Sequence, residues 1–399
     1  MLFQHASLLI SAIFLSVGLA GCGTTPPKGP AAPAAPVTPA APAAPAAPAP
    51  TLQPASFAAM PGWAQDDLRQ AWPAFLNSCD VLARKAEWKE PCAIARDVDG
   101  GNAKAVRTFF EAFFVPHQVF NPDGSNQGLV TGYYEPLLNG ARKRGGPYQT
   151  PLYRAPDDML TIDLSAVYPE LKGMRLRGRM AGNKVLPYFS RAELDQANSL
   201  AGKELLWVDN PIDAFFLQVQ GSGRVRLAGS GEVVRIAYAD QNGHPYKSIG
   251  RYLVDRGELT LDQASAQGIK AWLAANPQRQ QELLNANPSY VFFREEKIAD
   301  ANKGPKGALG VPLVPQRSIA VDPQFIPLGV PVFLATTHPN SAAPLQRLVM
   351  AQDTGGAIRN AVRADFFWGF GPGAGELAGK MKQRGAMWVL LPKVPRAAG

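Results

Sequence analysis

Apolar positions along this chain keep two rhythms. Between residues 57 and 118 they recur at helical spacing, and Val106, Phe109, Phe110, Phe113 and Phe114 gather on one stripe that a helix would bury. Beyond residue 128 the rhythm shortens. Runs at 129–134, 215–220, 225–228 and 233–239 mix β-branched and aromatic residues between Gly, Asn and Asp, and predict strands. Two helices interrupt them: Ser190 with Glu193 and Thr260 with Gln263 have the spacing of capping boxes, the second opening a helix that reaches about Ala275. Strand-like runs return at 287–295, 318–322, 330–336, 346–353 and 386–392. Pro312, Pro315, Pro323, Pro327 and Pro331 punctuate them, which suits the tight corners of a small barrel better than an open sheet. No internal repeat and no strand–helix alternation of the parallel type is visible. The pattern predicts a mainly β fold with peripheral helices, in which an inserted β-domain separates two parts of a barrel.

The start of the chain follows other rules. Leu8 to Leu19 is apolar, too short for a membrane span, and ends in Leu19-Ala20-Gly21-Cys22, which reads as a cleaved secretory signal. It resembles a bacterial lipoprotein signal with Cys22 as the lipidated first residue. His5 is the sole ionisable side chain before the apolar run and no Lys or Arg precedes it, so an ordinary secretory signal or a misassigned start is the alternative. Gly23 after the cysteine implies, by the same resemblance, sorting to the outer membrane, facing the periplasm. Residues 25–54 are almost wholly Pro, Ala and Thr. Such a stretch cannot bury a core and favours polyproline II, a semi-rigid tether of about 3.1 Å per residue and roughly 90 Å at full reach.

Roughly 345 residues follow, enough for one large or two medium domains. The formal charge of +8 is compatible with nucleic acid, but Lys and Arg are scattered with no basic run or stacking motif, so a nucleic-acid partner is not expected. For an exported chain a polyanionic envelope polymer such as peptidoglycan, with its peptide carboxylates, is the more natural partner. Besides Cys22 the cysteines are Cys79 and Cys92. In an oxidising compartment they can form a disulfide worth about 3 kcal/mol on the loop-entropy argument, two buried thiols being the alternative. His5, His117, His244 and His338 are too dispersed to suggest a metal site, and no cofactor motif is present.

Three constellations carry chemistry. Asp353 and Asp365 lie twelve residues apart amid glycine turns and aromatics. Asp353 ends an apolar run before Thr354-Gly355-Gly356, where it either faces a ligand or merely caps the turn. On a strand Asp365 shares a face with Phe367, and partial desolvation would keep it protonated, as a general acid requires; a surface aspartate paired with Arg359 or Arg363 is the alternative. The second constellation is Gln218-Val219-Gln220-Gly221-Ser222-Gly223, whose glutamines would share one face of a strand and whose turn offers amide and hydroxyl groups to a sugar. It is no nucleophile elbow, and no histidine is placed to activate Ser222. Third come Tyr133 and Tyr134 at a strand end, which either stack on sugar rings or simply pack.

Taken in order, Gly132-YYEP, Pro151-LYRAP, Gln218-VQGSG, Tyr238-ADQNGHPYKSIG, Asn287-PSYVFF, Ala308-LGVPLVPQRSIAVD, Asp353-TGGAI and Ala364-DFFWGFGPGAG resemble the membrane-bound lytic murein transglycosylase A family from about Gly128 to Pro392. The resemblance implies a double-psi β-barrel, a second β-domain inserted into it, and a groove between them for a glycan strand. With the signal read at 1–22 and the tether at 23–55, the resemblance implies a barrel at 56–137 with 293–399 and an insert at 138–292. It implies Asp365 as the single acid and base, Asp353 as its partner, and Tyr133, Tyr134, Gln220, Ser222 and Gly223 as groove residues. The implied reaction cleaves the bond between N-acetylmuramic acid and N-acetylglucosamine and closes a 1,6-anhydro ring without water. A two-carboxylate hydrolase and a non-catalytic peptidoglycan-binding module remain the alternatives. Wall-remodelling partner proteins are plausible for such an enzyme but leave no readable motif.

Overall fold

The computed structural model describes residues 51–393 apart from 172, 197, 299, 301 and 302. Cys22 and most of the Pro/Ala stretch lie outside them. Six strands close a barrel: β1 (Gly128–Glu135), β2 (Ser318–Val321), β3 (Pro331–Thr337), β4 (Pro344–Asp353), β5 (Arg363–Phe370) and β6 (Lys382–Pro392). Their order is β6-β3-β4-β2-β5-β1, and the ring is completed by antiparallel pairing of β1 with β6. Two ladders are parallel, β2 with β4 and β5 with β1; the rest are antiparallel. The strand Phe114–Val119 extends β6 outward, and Leu52–Pro54 pairs with it, so the end of the expected tether is a sheet edge. Closure leaves no free edge on the ring itself.

Barrel strands read as unbroken apolar runs because both faces are covered. β3 and β6 each bury consecutive residues, among them Val332, Phe333 and Leu334 and Met387, Trp388 and Val389. Inner side chains fill the barrel; the outer ones meet three helices, α1 (Trp72–Leu82), α2 (Ala86–Ala95) and α3 (Ala103–Phe113). Asn102 caps α3 by accepting from Lys104 N and Ala105 N, and Val106, Phe109 and Phe110 face inward. Trp72, Phe75 and Phe110 meet mostly edge-on, each pair contributing about 0.5–1.5 kcal/mol beyond burial. Phe114 turns extended and begins a strand instead of ending the helix. Cys79 and Cys92, both fully buried, are joined by a disulfide that ties α1 to α2.

A second, six-stranded sheet runs in the order Val291–Glu296, Val233–Gln241, Ser222–Leu227, Leu137–Ala141, Glu204–Val208 and Thr150–Tyr153. The boundary expected at residue 293 falls inside its first strand. A three-stranded sheet and short helices flank it. The Ser190–Glu193 box forms and opens Arg191–Gln196. Thr260 N does donate to Gln263 Oε1, but the helix starts only at Ala266, capped by Ser265.

One expected strand is a helix. Residues 215–220 belong to α4 (Pro211–Gln220). Asn210 accepts from Ile212 N and Asp213 N, Pro211 sits in the first turn, and Gly221 closes the helix at φ 81°. Those end signals outweigh a short apolar run that alone reads either way.

The N-terminal segment is locked to the barrel by Asp66 and Arg317. Both Arg317 Nη atoms donate to the Asp66 carboxylate at 2.9 Å, Leu348 N donates to it at 2.7 Å, and Arg317 also reaches Leu348 O and Gln70. Breaking such a buried pair leaves one charge uncompensated. Asp66→Ala is expected to lower unfolding free energy by about 3–5 kcal/mol, seen as a reduced urea midpoint at unchanged m-value.

Candidate active site

Barrel register brings the two aspartates together. Ala320 in β2 pairs with Asp353 of β4 on one side and Asp365 of β5 on the other. Strands lie about 4.8 Å apart, so the two Cα atoms are separated by roughly 10 Å with one alanine between them. The residue between them is small and buried, packed with Tyr133, Ile358 and Phe367.

Their surroundings differ. Asp353 Oδ1 accepts from Ala308 N and Thr354 N, both at 2.9 Å, and Oδ2 accepts from the Tyr133 hydroxyl at 3.0 Å. Asp365 Oδ1 accepts one bond, from Thr131 Oγ1 at 2.6 Å, and Oδ2 is given to no group among the described residues. Thr131 lies directly opposite Asp365 on β1 and itself accepts from Arg363 Nη2 at 2.9 Å. A guanidinium can only donate, so the threonine proton points at Asp365. Sequence pattern does not single out Thr131 and offers Arg363 only as a pairing partner of Asp365; strand register places both beside it.

Burial pushes both carboxyl groups above the usual carboxylate range. For Asp365 the opposing pull comes from Arg363 and then the Thr131 bond; for Asp353 it comes from Ala308 N, Thr354 N and Tyr133, with Asp365 adding a further push upward. Burial and the two carboxylates likewise hold the Tyr133 phenol well above its ordinary value. Tyr133 packs on Phe367 at 5.1 Å, so Asp365, Phe367 and Tyr133 work on one side of the barrel wall, as alternation on β5 requires.

Two clefts meet here. One, of about 290 Å³, is lined by Tyr133, Asp353, Gly221, Ser222 and Gln220, with Arg175, Arg294 and Lys306 on its wall. The other, of about 870 Å³, takes in Thr131, Tyr134 and Gln220. Gln220 borders both, its Oε1 accepting from Tyr134 N at 3.0 Å. Asp365 lines neither cleft directly, whereas Thr131, which donates to it, lines the larger one. Gly223 lines neither cleft: it is buried one step inside its strand, where a Cβ would come within 2.4 Å of Leu217 Cδ1. Nor do Gln218 and Gln220 share a face, because α4 turns Gln218 inward to Arg191. Glu135, to which no role had been given, is buried between Arg224 and Arg235. Arg359 reaches Asp322, not Asp365. Among the described residues there is no cluster able to hold a metal ion.

Comparison with known proteins bears directly on this geometry. Residues 129–294 match the MltA specific insert domain and residues 317–391 the 3D domain. Membrane-bound lytic murein transglycosylase A of Escherichia coli is 34% identical over 300 residues, 73% of this chain and 72% of that protein. The chain belongs to the membrane-bound lytic murein transglycosylase A family. Among solved structures, MltA from Neisseria gonorrhoeae is 42% identical, with a TM-score of 0.73 over 86% of this chain and 92% of that one. The lytic transglycosylase LtgG of Burkholderia pseudomallei is 52% identical, with a TM-score of 0.58 over 87% and 96%. Escherichia coli MltA with bound chitohexaose is 28% identical, with a TM-score of 0.61 over 81% and 90%. In keeping with this family, the closed ring is the double-psi barrel and the six-stranded sheet belongs to the insert.

A carboxyl group whose pKa burial raises in the fold above its unfolded value costs stability above its ordinary pKa. The cost is absent well below that pKa, grows as pH rises toward the raised native value, and is complete above it. Asp365→Asn is therefore expected to unfold at higher temperature than the wild type at pH 7, with the gap closing as the scan is repeated toward pH 4.

Proposed function

We propose that this chain is a lipid-anchored peptidoglycan lytic transglycosylase in which Asp365 serves as acid and then as base. Family membership supports the reaction class, and the glycan bound to the Escherichia coli relative supports a groove for a sugar strand. The observation that carries the assignment of roles is the asymmetry of the two aspartates. Asp353 is held by three donors, whereas Asp365 keeps Oδ2 unclaimed while burial favours its protonated form.

Thr131 occupies Oδ1, so the proton of Asp365 resides on Oδ2. From there it passes to the bridging oxygen as the bond between N-acetylmuramic acid and N-acetylglucosamine breaks. Positive charge gathers at the anomeric carbon, and the sugar's own acetamido group or the carboxylate of Asp353 shares it. The Asp365 carboxylate, steadied by Thr131 and the positive field of Arg363, then takes the proton of the muramyl 6-hydroxyl. That oxygen attacks the anomeric carbon and closes the 1,6-anhydro ring. Intramolecular attack of this kind can reach effective molarities of about 10⁵–10⁸ M, so a held hydroxyl outruns water and no second base is needed. Gln220, Ser222, Tyr133 and Tyr134 are the groove residues of this reading. Asp353 anchors Tyr133 and the backbone at Ala308 and so shapes the wall opposite Asp365.

The position of the enzyme in the cell is part of the same proposal. Lipid on Cys22 fixes the chain to the outer membrane, and the Pro/Ala stretch carries the barrel toward the wall. No helix among the described residues is long and apolar enough to cross a membrane.

Purified sacculi digested by wild type and by Asp365→Asn test the reading. Wild type should release anhydro-muropeptides, and the variant should be slower by about 10²–10⁴-fold, the usual contribution of one acid–base group. New reducing ends would point to hydrolysis instead, and unchanged sacculi with retained binding to a binding module. Thr131→Val, which removes the proton donor to Asp365, should move the alkaline limb of the rate profile to higher pH.

A further inference from the structure

On the far face of α4 from the groove lies a separate cleft of about 350 Å³. Phe215 and Gln218 of α4 line it, whereas Phe216, Val219 and Gln220 look toward the large groove. Its floor holds Arg191, only 5% exposed. Nε donates to Asn287 O at 3.1 Å and Nη2 to Gln218 Oε1 and Ser289 O at 2.7 Å. The rings of Phe215 and Tyr290 each lie 4.8 Å from the guanidinium carbon and hold its plane. Nη1 has no acceptor among the described residues, and no carboxylate forms an ion pair with the side chain.

A buried guanidinium is costly unless something compensates it. Here carbonyl oxygens and aromatic faces position it, and its free edge meets an open cavity. That is the chemistry of a carboxylate receptor. At the exposed rim, one helical turn further along Arg191–Gln196, stands Asp195, which accepts from Gln281 Nε2 and also lines the cleft. Arg191 and Asp195 share a face yet do not pair. A ligand carrying both charges can bridge them.

We propose that this cleft binds the zwitterionic centre of an α-amino acid, its carboxylate on Arg191 and its ammonium on Asp195. Two sources carry that group: a free amino acid, and the distal centre of a diamino acid in a peptidoglycan stem peptide. The second source rests on the reading of the chain as a peptidoglycan enzyme; the first does not. Seated there, a stem peptide docks behind α4, the helix whose last residue, Gln220, borders both catalytic clefts.

Isothermal titration of the full chain with three probes decides the matter: D-alanine, a synthetic stem tetrapeptide with a free diamino-acid centre, and acetate. Binding of either zwitterion at least about tenfold tighter than acetate supports the proposal, and which zwitterion prevails identifies the source. Asp195→Asn, at an exposed position, should erase that preference while leaving residual carboxylate binding. Arg191→Gln should abolish binding altogether; should it fail to fold, Thr150→Trp, which puts a large ring into the lining of the cleft, replaces it. No zwitterion binding by wild type, or equal binding by wild type and Asp195→Asn, overturns the proposal. Release of anhydro products from peptide-free glycan strands should be unchanged in Asp195→Asn, so loss of the cleft and loss of the catalytic reading are told apart.

Discussion

Glu135 is the group on which the architecture turns. It ends β1, immediately before the chain leaves the barrel for the second sheet, and it is almost wholly buried. Arg224 and Arg235 stand opposite one another on adjacent strands of that sheet, an arrangement of like charges that is unfavourable alone. Both donate to Glu135, and both also reach the carbonyl of Lys303, where the chain returns toward the barrel. Outgoing and returning segments are thus held at one point. Because buried charges tolerate little change of geometry, the clamp fixes the second sheet against the barrel wall. Together with the bond from Tyr134 N to Gln220, it places Gln220 and Ser222 relative to Asp353 and Asp365.

The aspartates show how one barrel wall gives two carboxyl groups different surroundings. They occupy matching positions on either side of Ala320, yet hydrogen bonding separates them. Asp353 meets the backbone of the returning loop and the Tyr133 hydroxyl, so it behaves as a structural acceptor. Asp365 meets a single hydroxyl, oriented by Arg363, and its second oxygen stays available. Carboxyl groups whose surroundings treat them differently are what a site needs to assign acid–base work to one of them. Desolvation of Asp365 costs folding stability, a familiar trade at sites that hold a group in a reactive state.

Helix α4 links the two recognition surfaces. Its C-terminal turn presents Gln220 to the two clefts beside the aspartates, while Phe215 and Gln218 on its other face support Arg191. A single helix therefore borders both those clefts and the cleft proposed for amino-acid recognition.

Much of this was written in local pattern. The barrel strands at 129–134, 318–322, 330–336, 346–353 and 386–392 were legible because apolar runs between turn residues are local signals, and so was the phenylalanine stripe of α3. Motif resemblance singled out Asp365, Asp353, Tyr133 and Gln220. Where periodicity and end signals disagreed, as at 215–220, the short apolar run misled, and Asn210, Pro211 and Gly221 held the information that mattered. What no local reading supplies is register and closure. That Ala320 lies between the aspartates, that Thr131 faces Asp365, and that Glu135 gathers two arginines from another sheet are all long-range pairings. Sequence alone determined most of the barrel strands and which residues carried reactive groups, since those depend on neighbours in the chain. Only the tertiary structure decided which carboxyl group was left with a free oxygen, because hydrogen-bond partners and desolvation come from residues far apart in sequence.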